Sequence, residues 1–294
     1  MKVLLTGGSG FVGRSLAEAL RERYTLFAPT HTELELLDAA AVQAFVASRG
    51  IDVVVHTAVR GGERVLEETL RMQLNLLQLA DRVDRILYFG SGAEYAKARD
   101  LVKVKEEEAG THVPADPYGL AKLICNDMAR SRKRVVNLRL FGIYGPHEGY
   151  LYKFISNAIV KNLLGLDILI RQDVVFDYLF VDDLVPVVEH FLTSTSEFAD
   201  YNVTPTESIS LRELATLINR AAEQPSEIEV ATPGLNWEYT GTNARLRAAI
   251  PTLHFTSYEE GVRRLFAFYA ARHDSIDAAA VREDDFATRC KTRT

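Results

Sequence analysis

The chain has 294 residues, 47% of them hydrophobic and 25% charged, which are globular proportions and not those of a disordered or fibrous chain. A formal net charge of −6 provides no broad basic field, so nucleic acid is not an expected partner. Only Cys125 and Cys290 are present and the seven histidines show no ligand spacing, so neither a disulfide framework nor a metal site is predicted and a reducing compartment is expected.

In chain order, short apolar runs alternate with amphipathic stretches of helical period. Strands are predicted over 2–5, 26–28, 53–57, 86–90 and 135–140, and helices over 11–22, 40–48, 67–80 and 117–132. Such alternation predicts an α/β fold, a Rossmann doubly wound parallel sheet with right-handed crossovers. After Gly145 the rhythm loosens. Helices are predicted over 151–164, 184–192, 211–222 and 258–271, strands over 168–170 and 174–180, and a loop around Pro225, Pro233 and Gly234. Residues 1–150 therefore read as a dinucleotide-binding domain with a return segment near 174–195. Residues 151–272 read as a smaller C-terminal α/β substrate-binding domain, and the polar stretch 273–294 as a frayed tail. No apolar run reaches the ~20 residues that span a bilayer, and no leader pattern precedes the first strand. A cytoplasmic protein is expected, with no membrane partner.

The run Thr6-Gly7-Gly8-Ser9-Gly10-Phe11-Val12-Gly13 lies between the first strand and the first helix. Gly7 permits a tight turn, Gly10 lets the backbone approach a pyrophosphate, and Gly13 lets the helix pack closely on the strand. The phosphates would meet free N–H groups at a helix N-terminus, among Ser9, Phe11 and Val12. The second strand ends in Ala28-Pro29-Thr30-His31 with no carboxylate for a free ribose hydroxyl. Arg14, Thr30 and His31 could instead tolerate a 2′-phosphate, which favours NADP slightly over NAD; His31 reads equally well as a solvated loop residue. Asp38 is placed either to accept from the adenine amine or in a solvated turn.

Tyr118 and Lys122 stand four residues apart on one face of a helix started by Asp116-Pro117. A phenol is normally too weak an acid to exchange protons near neutrality; a neighbouring ammonium favours the phenolate and makes it a usable acid or base. Ser91, at the carboxyl end of a parallel strand, faces the ligand crevice and can hydrogen-bond a reacting oxygen.

With His56-Thr57-Ala58, Asn75, Arg139 to Pro146 and Tyr178 to Asp183, these residues resemble the extended short-chain dehydrogenase/reductases, the NAD-dependent epimerase/dehydratase family, over nearly the whole chain. Within the family the likeness is greatest to nucleotide-sugar reductases of the GDP-L-fucose synthase type, through 33–38, 116–122 and 144–147. The resemblance implies that Tyr118 exchanges the proton, that Lys122 also holds the nicotinamide ribose beside Thr57 and Ala58, and that Ser91 and Gly92 meet a nucleotide-activated sugar. It also implies a homodimer through the helices at 67–80 and 117–132, whose outer faces could otherwise be solvated.

Departures from the family's pattern narrow the chemistry. Gly92-Ala93 replace the Asp-Glu pair of the family's 4,6-dehydratases, which argues against dehydration. Ala93 and Lys153 fall where fucose synthases carry the Cys and His of their epimerisation step. Gly142 and Phe176 replace an Asn and an Arg of the usual sugar-nucleotide pocket, leaving Lys153, Arg171 and Arg245 as either diphosphate ligands or surface charges. Glu94 reads as a solvated loop residue in preference to a substrate-side carboxylate, and Trp237 as a packed aromatic in preference to a base-stacking one. The expectation is NAD(P)-dependent reduction of a nucleotide-linked 4-keto-6-deoxy sugar at C4. The alternatives are a 4-epimerase that retains NAD and a non-catalytic dinucleotide sensor.

Overall fold

In a computed structural model, which describes residues 1–283 and 286–293, six parallel strands form the central sheet. The elements of the first half are β1 (Lys2–Thr6), α1 (Phe11–Leu20), β2 (Thr25–Phe27), α2 (Ala39–Arg49), β3 (Val53–His56), α3 (Val65–Leu77), β4 (Arg85–Ser91), a small strand β5 (Leu101–Val104), α4 (Pro117–Arg130) and β6 (Val135–Leu140). Then follow β7 (Gly142–Tyr144), α5 (Phe154–Leu163), β8 (Ile168–Asp173), β9 (Val175–Phe176), β10 (Tyr178–Phe180), α6 (Leu184–Thr193) and β11 (Asp200–Val203). The last are β12 (Ile209–Ser210), α7 (Leu211–Ala221), β13 (Ile228–Leu235), β14 (Tyr239–Gly241), α8 (Ala244–Ala249), α9 (Tyr258–Ala270), α10 (Ala278–Arg282) and α11 (Phe286–Arg289).

The central sheet runs β11-β6-β4-β3-β1-β2, with the chain reversing its direction of travel across β1. Ligand crevices of doubly wound sheets open at such a reversal, beyond the strands' carboxyl ends. The pleat sends Val3 and Leu5 into one core with α1 and α6, and Leu4 into another with α2, α3 and α4. Helices thus cover both faces, which is why these strands read as continuous apolar runs. The helix starts follow from their caps: Asp38 accepts from Ala40 N and Ala41 N, and Asp116 accepts from Gly119 N ahead of Pro117.

Several elements differ from the sequence reading. The single strand expected over 174–180 is broken into β9 and β10 by Asp177, a fully buried carboxylate that accepts from Lys103 Nζ (3.1 Å), Ser208 Oγ (2.5 Å) and Gly241 N (2.9 Å). Its partners come from β5, β14 and the loop before β12, and the chain turns there from one small sheet into another. The loop expected around Pro233 is mostly β13, parallel to β8, with a register shift between Thr232 and Leu235 where Pro233-Gly234 cannot continue a regular ladder. The expected frayed tail instead carries α10 and α11. Val281 is buried against the core of α5, α7 and α9, and Arg293 N donates to Gln172 Oε1 on β8.

That same core holds Glu148, only 5% exposed, with Ser156 Oγ donating to it at 2.5 Å. Burial raises its carboxyl from 4.5 to about 7, partly offset by Ser156 and by the charge of Lys153. A raised folded-state value means that the native protein binds more protons than the unfolded chain between those two pH values. Glu148 therefore contributes stability below the lower one and loses it as pH rises through the upper. In urea unfolding, the unsubstituted protein is expected to lose up to ~1.4 kcal/mol per pH unit relative to Glu148→Gln as pH rises from 5 to 7. Parallel pH curves would contradict this assignment.

Candidate active site

The carboxyl ends of the strands line up: Thr6 pairs with His56, His56 with Tyr88, and Ser91 with Leu140. Above them opens a cleft of about 600 Å³, within the range of small-molecule sites. Its cofactor half is made by the glycine loop. Gly7 has φ +78, and Gly10 begins α1 without any side-chain cap, so the first-turn N–H groups are left to a ligand. A Cβ on Gly10 would meet only Gly7 O, at 3.4 Å, whereas one on Gly13 would fall 2.0 Å from Gly7 O and 2.8 Å from Thr57 Oγ1. These features fit a dinucleotide pyrophosphate. Because Gly13→Ala collides with backbone, we expect it to cost ~1–3 kcal/mol of stability and to weaken NADPH binding at least tenfold by calorimetry; an unchanged Kd would show that the loop is not the cradle.

Thr57 and Ala58 follow β3, where Thr57 Oγ1 donates to Thr6 O (2.8 Å). His56 is buried against Thr6 Oγ1 (2.7 Å), and burial together with the Lys122 charge pushes it down to about 3, so it stays neutral. Asn75 reaches Leu36 O (2.8 Å) and fixes the loop that walls the adenosine end. His31 lines that end with Pro29, Leu34 and Arg60. Arg60 is paired with Glu35 (2.7 Å), Arg14 with Glu18 (3.2 Å), and the Thr30 hydroxyl with Glu33 (2.9 Å).

Ser91 ends β4 and turns the chain: its Oγ accepts from Ala93 N (3.2 Å) while its own N–H donates to Glu94 Oε1 (2.9 Å). Helix α4 packs tightly on that turn, since a Cβ on Gly119 would lie 2.7 Å from Ala93 O. This sets Tyr118, half-buried, beside Ser91 on the cleft wall. Lys122 is buried, its Nζ donates to Phe89 O (2.7 Å), and it stands 5.9 Å from the centre of the Tyr118 ring. Serine hydroxyl, phenol and ammonium thus meet on one wall. They can orient a carbonyl oxygen, exchange a proton with it, and hold a phenolate electrostatically.

The cleft also takes in Ser9, Phe11, Val12 and Lys153. It does not take in six residues expected there, among them Arg14 and Thr30, paired as described above. Asp38 is exposed and spent on capping α2; Gly92 is buried behind Ser91; Arg171 is exposed on β8; and Arg245 is held by Asp200 (2.8 Å) and Glu107, with its guanidinium over Phe198. Trp237 is half-buried and lies outside the cleft as well. Glu94 is neither solvated nor at the substrate. It is fully buried, with Arg139 Nε donating to it at 2.7 Å. Lys97 was not foreseen. It lines the cleft with Lys153, its ammonium 5.0 Å from the Tyr239 ring centre. Desolvation lowers its pKa and Lys153 adds to the effect, against Asp116. A polar stretch carrying Lys97 offers no periodicity that would have marked it.

A glycine-cradled helix N-terminus and a Ser/Tyr/Lys wall on one cleft define an enzyme of the Rossmann fold that takes a nicotinamide dinucleotide and moves hydride. The chain belongs to the NAD-dependent epimerase/dehydratase family, whose model matches residues 3–204. GDP-L-fucose synthase of Escherichia coli K12 is 26% identical over 234 residues, covering 69% of this chain and 73% of its own. A 3β-hydroxysteroid dehydrogenase/Δ5→4-isomerase of Mycobacterium tuberculosis H37Rv is 24% identical and covers 82% and 75%. The NADP-bound structure of a GDP-L-fucose synthetase from Naegleria fowleri superposes with a TM-score of 0.82 at 16% identity, over 93% of this chain and 94% of that one. The extended short-chain dehydrogenase/reductase fold read from the sequence is the fold observed. Among the described residues no helix is long and apolar enough to cross a membrane.

Proposed function

We propose that this enzyme reduces a nucleotide-linked 4-keto-6-deoxy hexose at C4. The observation that carries the reading is the convergence of Ser91, Tyr118 and Lys122 on the cleft that the glycine loop opens. A nicotinamide dinucleotide held by Gly7 to Gly13, Thr57, Ala58 and Lys122 supplies the hydride. Ser91 orients the substrate oxygen, and Tyr118 transfers its proton to that oxygen as the carbonyl carbon is reduced. Lys122, anchored on Phe89 O, carries the charge that stabilises the resulting phenolate until it is reprotonated from solvent.

The sugar-nucleotide substrate is supported by the likeness to fucose synthase and by Lys97 and Lys153, two cations at the cleft suited to a diphosphate and poorly suited to an apolar steroid. Gly92 and Ala93 offer no acid or base for elimination or epimerisation. His31 at the adenosine end supports NADPH over NADH, whereas Arg60 there is held by Glu35 (2.7 Å) and Glu68 (3.7 Å). We also read α3 and α4, which pack side by side and expose Leu74, as a homodimer face, and the protein as cytoplasmic.

The test follows nicotinamide absorbance with a panel of nucleotide-linked 4-keto-6-deoxy sugars and NADPH or NADH, and with one 3β-hydroxysteroid control and NADP+ or NAD+. Oxidation of free reduced cofactor by a sugar upholds the reading. Interconversion of 4-hydroxy sugars by retained NAD would replace it with an epimerase, steroid turnover would replace the substrate class, and cofactor binding without turnover would leave a sensor.

A further inference from the structure

Behind Ser91 lies a second phenol that the reaction as described leaves unused. Tyr239 opens β14 and is only 6% exposed; its ring packs against Phe141 (centroids 5.1 Å apart) and Phe176 (5.4 Å). Its hydroxyl oxygen is fully enclosed and has no hydrogen-bond partner within bonding geometry. The hydroxyl is aimed at the catalytic turn: a Cβ on Gly92 would fall 2.4 Å from Tyr239 Oη and 2.8 Å from Cζ. Gly92 is therefore the gap that admits this phenol, which explains why neither an acid nor an alanine stands beside Ser91.

Phenylalanine would fill the same space with the same ring contacts and without the cost of an enclosed, unpaired hydroxyl. A hydroxyl kept in such a place calls for a partner, and the adjacent one is Ser91. Burial raises the Tyr239 phenol well above its usual range, Tyr118 adds to the rise, and the Ser91 hydroxyl offsets part of it. Ser91 Oγ already accepts from Ala93 N, leaving one acceptor position and one proton.

We propose that Tyr239 is a positioning residue whose hydroxyl donates to Ser91 Oγ, fills its remaining acceptor position, and so commits the Ser91 proton to the substrate oxygen. Without it Ser91 can turn its proton inward and meet the substrate oxygen lone pair to lone pair. The inference rests on the carbonyl-reducing reading given above.

The experiment is a cycle of Tyr239→Phe, Ser91→Ala and the double variant, read in turnover and in thermal unfolding. Tyr239→Phe is expected to lower kcat about tenfold, less than the ~10²–10³-fold typical of removing an oxyanion donor itself, with the KM for sugar unchanged. In the Ser91→Ala background it changes kcat no further. Tyr239→Phe is also expected to lower Tm by about 2 °C in the otherwise unsubstituted protein and not in the Ser91→Ala background. An equal kcat loss in both backgrounds, or a Tm that rises or stays fixed in both, overturns the proposal. If no sugar is turned over, the functional reading fails by itself, and the Tm cycle still decides whether the two hydroxyls are bonded.

Discussion

Tyr118→Phe is expected to lower turnover by about 10²–10⁴-fold, the usual contribution of a positioned acid–base group, while leaving NADPH affinity within about twofold. On the proposed reading the phenol oxygen exchanges a proton with the substrate oxygen, and removing it leaves the ring, the Lys122–Phe89 hydrogen bond and the glycine loop in place. Stopped-flow turnover and calorimetry on one preparation separate the two quantities. Near-normal turnover would remove Tyr118 from the chemistry, and a parallel loss of cofactor affinity would make it a binding residue.

The second large effect lies beneath the site. Arg139 is completely buried and donates to Glu94 Oε2 (2.7 Å), Tyr95 Oη (3.0 Å), Asn202 Oδ1 (3.1 Å) and Asp200 Oδ2 (3.0 Å). Arg139→Met would leave Glu94 enclosed without its cation, while Asp200 keeps Arg130 (3.1 Å) and Arg245 (2.8 Å); breaking a buried ion pair from one side typically costs ~3–5 kcal/mol. Since Glu94 also holds the N–H of Ser91, the Ser91 turn should loosen and, on the proposed reading, activity should fall with stability. Urea unfolding measures the first effect; a loss below ~1 kcal/mol would mean that the network is dispensable.

The site could be read from the sequence wherever its geometry is local. The glycine spacing, the four-residue step from Tyr118 to Lys122, and Ser91 at a strand end are set within a few residues, and each lines the cleft. The features that escaped depend on partners far along the chain. Glu94 looks like a loop carboxylate until Arg139, 45 residues on, is packed over it. β11 has no counterpart in the sequence reading, since Asp200 and Asn202 interrupt its apolar run, yet both are buried against Arg139 across the sheet. The same network engages Arg245 through Asp200, which removes it from the substrate side. Tyr239 gave no signal because its meaning depends on the space left by Gly92, half the chain away.

Transfer of label from reduced cofactor deuterated at the nicotinamide C4, on either face, to a nucleotide-linked 4-keto sugar tests the central claim most directly. The account predicts deuterium at sugar C4 from one face, with one cofactor oxidised per sugar and the transfer lost in Tyr118→Phe. Sugar interconversion with no label taken up and no cofactor consumed, or label transfer undiminished in Tyr118→Phe, would contradict it.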